Sequence, residues 1–114
     1  MDAMTKAEKR SHERRAMRSP VEVLLPGRAA LAMRATDISV GGIGLVAAAN
    51  APLGLEVQLR IPLPFGASGT QHFEVCARVQ HSVFSNRDDG FRIGMVFLRP
   101  SDRLVVAIGD FLAR

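Results

Sequence analysis

The chain has no tryptophan and no tyrosine, and its only aromatic residues besides histidine are six phenylalanines. Proteins that read single-stranded nucleic acid stack successive bases on aromatic side chains, so that class has little to work with here. One cysteine, Cys76, excludes an internal disulfide framework and a cysteine-rich zinc site. The three histidines, His12, His72 and His81, lack metal-ligand spacing. No nucleophile–base pair and no phosphate loop stand out, so no catalytic residue, metal or cofactor is expected, and an enzyme is the weakest reading. The longest uncharged stretch, Ile38 to Leu55, is broken by Gly41, Gly42, Gly44, Asn50, Pro52 and Gly54. It reads as turns and short strands rather than a membrane span. The N-terminus runs from Met1 into charged residues with no apolar segment, so no signal peptide is expected. A cytoplasmic protein without membrane insertion follows as the expectation.

What is present fits one domain. The length is 114 residues, with 47% hydrophobic and 23% charged residues, enough apolar content to close a core. The charge is unevenly placed. Residues 1–18 hold six Lys or Arg against three acids, while the remainder holds nine Arg against eight acids. Arginine outnumbers lysine thirteen to two. Solubility alone does not call for that bias, whereas the planar guanidinium fork suits phosphates and guanine edges. Residues 1–18 therefore read either as a solvated basic tail or as a flexible, anion-binding arm, with residues 19–114 as the folded body.

Alternation in that body is of period two. Leu55, Val57, Leu59 and Ile61 share one face. Phe73, Val75, Ala77, Val79 and His81 share another, answered by Phe91, Ile93, Met95 and Phe97 across an Asn86–Gly90 hairpin turn. Shorter runs at Val21–Leu25, Arg28–Ile38 and Leu45–Ala47 complete six strands, with Pro62–Gly69 as a loop. Ser101 is a candidate N-cap for a terminal helix whose apolar face is Leu104, Val105, Ile108, Phe111 and Leu112. The expected fold class is all-β with a C-terminal helix, a small antiparallel barrel or sandwich.

Two clusters carry chemistry. Arg14-Arg15-Ala16-Met17-Arg18 is an RxxxR pattern with an extra arginine inside it. Asp37-Ile38-Ser39-Val40-Gly41-Gly42 is a [D/N]xSxxG pattern about twenty residues on. In this order the pair resembles PilZ domains, and Phe91-Arg92-Ile93-Gly94-Met95-Val96-Phe97 is similar to a late strand of that family. The resemblance implies a six-stranded antiparallel β-barrel with a C-terminal helix. It also implies a non-catalytic receptor for the bacterial second messenger cyclic di-GMP, which signals to a separate downstream protein. Carried over residue by residue, the ligand-binding set is Arg14, Arg15, Arg18, Asp37, Ser39, Gly41 and Gly42.

The residue types suit that ligand. Arginines can fork onto phosphate oxygens or guanine O6 and N7. Asp37 can accept from guanine N1–H and N2–H₂, and Ser39 can donate or accept beside it. Gly41 and Gly42 allow close backbone approach and positive φ. Plainer readings stand beside these: Asp37 and Ser39 can simply shape a turn, and the arginines can be a solvated face. The competing functional reading is a PilZ-fold protein-interaction adaptor that does not depend on the nucleotide. A nucleic-acid-binding barrel is disfavoured by the near-neutral body.

Overall fold

A computed structural model describes residues 13–64, 66–67 and 69–114. Seven strands and one helix follow in order: β1 (Arg14–Ala16), β2 (Pro20–Leu24), β3 (Leu31–Ser39), β4 (Gly42–Ala47), β5 (Glu56–Pro64), β6 (Thr70–Ser85), β7 (Gly90–Leu98) and α1 (Asp102–Leu112). All pairings are antiparallel, in the order β1-β3-β2-β5-β6-β7-β4. A further β3–β4 ladder joins β4 back to β3, leaving β1 as an added strand on β3. Six strands, β2 to β7, thus close into the expected barrel, and closure removes their free edges.

Inward positions repeat every second residue because strand side chains alternate. Leu59, Ile61 and Leu63 of β5 face Val75, Ala77 and Val79 of β6 and Ile93 and Met95 of β7, all buried. Each fully buried Leu or Ile contributes about 1.5–3 kcal/mol by leaving water. Helix α1 adds Leu104, Ala107 and Ile108 to this core and packs on β3 and β5. Ser101 caps it as expected, its hydroxyl accepting from the Leu104 amide at 3.1 Å.

Three local readings change. Strand β5 continues through Pro62 and Pro64, where a loop was expected. Its edge toward β2 is unpaired beyond Arg60, so prolines lacking an N–H are tolerated there. Strand β6 extends to Ser85, lengthening the hairpin with β7.

The third change concerns the expected arm, residues 1–18. Residues 1–12 lie outside the described residues. Beyond them, Arg14–Ala16 form strand β1 on the edge of β3, paired Arg14 to Ser39 and Ala16 to Asp37. The Met17 amide donates to the Thr36 carbonyl at 3.2 Å, and the Met17 side chain is buried in the core. One apolar side chain and a short ladder thus tie this basic segment to the barrel.

Candidate functional site

Two β-bulges shape the outer wall formed by β3, β4, β7 and β6. The first falls between Ala35 and Asp37, the second between Val79 and His81. A bulge inserts one residue and re-aims its neighbours. After the buried Ala35, both Thr36 and Asp37 line a cleft in this wall; after the buried Val79, both Gln80 and His81 do. His81, placed by simple alternation on the inward face with Val79, is therefore turned outward.

Between the two bulges lies a row of residues in register: Asp37 beside Gly44, Gly44 beside Gly94, Gly94 beside His81. Two adjacent strands thus contribute no side chain at the centre of the wall. A Cβ at Gly44 would stand 2.7 Å from Thr36 Oγ1 and 2.9 Å from Asp37 Oδ1. A Cβ at Gly94 would stand 2.2 Å from His81 Cε1. The resulting trough, about 660 Å³ in volume, is within the range of small-molecule sites. Gly42 has a different reason to be glycine: a Cβ there would meet the Met95 carbonyl oxygen at 2.1 Å. Close approach of β4 to β7, not positive φ, sets that requirement.

Arg14, Asp37, Ser39, Gly41 and Gly42 all line the trough. Arg14 Nε and Nη2 donate to Asp37 Oδ1 at 3.1 and 2.8 Å, and Nη1 donates to Ser39 Oγ at 3.3 Å. Both contacts to Asp37 fall on Oδ1, so among the described residues Oδ2 keeps its acceptor capacity. The guanidinium likewise keeps two of its five N–H groups. Ser39 is used differently. Its hydroxyl accepts from the amides of Gly41 and Gly42, both at 3.2 Å, and donates to the Gly42 carbonyl at 3.4 Å. It is 1% exposed, a buried turn-former beneath the site.

The other two arginines stand elsewhere. Arg15, the alternate residue of β1, donates to the Phe111 carbonyl and lies over the Phe111 ring at 4.5 Å. A cation at a helix C-terminus complements the partial negative charge of the last carbonyls. Arg18 is exposed and outside the trough lining. Residues the motifs did not indicate include Thr36, Gly44, Gln80, His81 and Arg92, all lining the trough. The available signal was a broken alternation: Ala35-Thr36-Asp37-Ile38 and Val79-Gln80-His81 each place two polar residues in succession.

The fold is thus a closed six-stranded barrel with a helix at its end and a glycine-floored trough on its outer wall. The PilZ domain model matches residues 8–114, and the chain belongs to the PilZ domain family. Among solved structures, it is similar to the Bacillus subtilis inhibitor of motility MotI/DgrA, with TM-score 0.78 and 19% identity, covering 89% of this chain and 48% of that one. It is also similar to the PilZ domain of Escherichia coli YcgR with c-di-GMP, with TM-score 0.58 and 20% identity, covering 88% and 86%. The Borreliella burgdorferi PlzA protein in complex with c-di-GMP matches with TM-score 0.61 and 15% identity, covering 97% and 44%. The chain thus spans about half the length of MotI/DgrA and less than half of PlzA. No curated protein sequence matches it. Among the described residues no helix is long and apolar enough to cross a membrane.

Proposed function

We propose that this protein is a cyclic di-GMP receptor, acting in the cytoplasm without catalysis or cofactor and passing its ligand state to a separate protein. The observation that carries the reading is the Arg14–Asp37 pair at the edge of a trough floored by Gly44 and Gly94. Asp37 Oδ2 accepts from the N1–H and N2–H₂ edge of a guanine, a donor pair adenine does not present in that form. The unused N–H groups of Arg14 fork onto a phosphate. The glycine floor admits the base against the backbone. Arg18 adds a further cation at the exposed end of the motif, and Arg15 joins only by leaving Phe111. Membership of the PilZ family and the c-di-GMP named with the YcgR domain and PlzA support the same ligand.

Isothermal titration with cyclic di-GMP tests this. Saturable heat is expected, with GMP binding far more weakly because it cannot occupy base and phosphate contacts on both halves of the site. Ligand at a hundred times Kd adds about 2.7 kcal/mol of stability, visible as a higher Tm. Absence of both heat and Tm shift leaves a PilZ-fold adaptor that works without the nucleotide.

A further inference from the structure

The end of the trough remote from Asp37 has no role in the contacts described so far. It is about three strand spacings away, on the order of 14 Å, and it is built by the bulge at Gln80. We propose that His81 is the base-stacking residue of this site, with a purine lying on the outer face of its ring. The inference rests on the cyclic dinucleotide reading and supplies what that reading lacks, a contact for the second base.

Three observations carry it. Without the bulge, the alternation running through Val75, Ala77 and Val79 would bury His81 in the barrel. The extra residue turns it outward, a local departure from regular pairing with no benefit to the core. Second, the imidazole lies across Gly94. The Cε1, Nε2 and Nδ1 atoms stand 2.2, 2.5 and 2.8 Å from where a Cβ would be, so the Cβ direction meets the ring through its face. The glycine allows the ring to lie flat on the sheet, with its other face outward. Third, His81 is exposed and makes no hydrogen bond or ion pair among the described residues. It is also the only aromatic ring among the residues lining the trough. A flat, open, unpartnered ring fixed beside a glycine floor matches the geometry of base stacking, which is sequence-tolerant because every base has a π-face. In a chain without Trp or Tyr, the residue placed there is the histidine.

The test compares cyclic di-GMP titrations of the wild-type chain, His81→Ala, His81→Phe and His81→Gln, with Asp37→Ala as the control for the site itself. His81→Ala is expected to weaken binding roughly tenfold, with Tm unchanged because the side chain is exposed. His81→Phe restores affinity, and His81→Gln, which keeps polarity but lacks a ring, does not. In proton NMR the His81 ring protons of the wild-type chain move upfield on titration, as stacking requires. Affinity that is equal or tighter in His81→Ala, or Phe no better than Gln, overturns the proposal while leaving the site reading intact. No binding by the wild-type chain overturns both.

Discussion

Two walls of the same barrel carry arginines and make opposite use of them. On the wall formed by β2, β5 and β6, Glu22, Arg60 and Glu74 stand in one cross-strand row. Arg60 bonds Glu74 at 2.9 Å and Glu22 at 3.2 Å. Its guanidinium is pushed further up from an already high pKa, first by the Glu74 hydrogen bond. Arg78 pairs with Glu56 on the same wall. On the wall of β3, β4, β7 and β6, the central row instead holds Gly44 and Gly94 between Asp37 and His81. Charge alone therefore does not locate a site. The second wall sets the partly satisfied Arg14–Asp37 pair beside a cleft of about 660 Å³, against about 420 Å³ for the cleft beside Glu22 and Arg60.

Several substitutions break or sharpen that contrast. The largest effect is expected from Gly42→Ala. Its Cβ would collide with the backbone oxygen of Met95, which cannot rotate away, so β4 and β7 must part. A loss of about 3 kcal/mol is expected, lowering Tm by more than ten degrees in a calorimetric melt. Ser39→Ala comes next. It leaves the buried Gly42 amide and the neighbouring Gly41 amide without their acceptor, at a cost of about 1–3 kcal/mol. The expected result is a lower denaturation midpoint, so weaker ligand binding by this variant reflects a disturbed turn. A midpoint equal to wild type would return Ser39 to a purely ligand-facing role.

Arg14→Ala and Arg60→Ala form a matched pair across the two walls. The first should weaken cyclic di-GMP binding by roughly ten- to a hundredfold, since a charge-assisted contact is worth about 1.5–3 kcal/mol. It should cost at most about 1 kcal/mol in stability, because its ion pair is exposed. The second should leave affinity unchanged and lower Tm slightly. Equal effects on affinity would erase the distinction between the walls.

The smallest effect concerns Asp88 at the β6–β7 hairpin. Its carboxyl is held below the usual aspartate range, first by the Ser85 hydroxyl and then by Arg92 and Arg34. A depressed carboxyl stabilises the fold above its unfolded value of about 3.9, and that contribution is lost as pH falls through the lower folded value. Wild type should therefore melt above Asp88→Asn at neutral pH, with the gap closing in acid. A gap that persists at pH 2 would place the stabilisation elsewhere.

Much of this molecule is legible along the chain, for identifiable reasons. The alternation of Leu59 with Ile61, and of Ile93 with Met95, is a property of one strand at a time, and so is the Ser101 cap. The two motifs are contiguous runs, so Arg14, Asp37 and Gly42 are visible before any fold is known. The trough is not, because it depends on which residues of different strands become neighbours. Gly44 and Gly94 make a floor only once β4 and β7 are in register. Asp37 and His81 become its two ends only through bulges, each displacing the alternation by one residue. Likewise Arg15 and Arg18 are equivalent as letters in a motif. They separate once strand alternation and the helix end at Phe111 assign Arg15 a partner inside the protein.

Strand β3 is flanked on both sides at its functional end, with Asp37 and Ile38 between β1 and β4. Amides there should exchange with solvent among the slowest in the chain, although Asp37 itself reaches solvent. The carboxylate is carried on backbone with almost no local freedom to lose. A ligand meeting it would give up its own mobility and that of a few side chains, while the peptide beneath stays as it was.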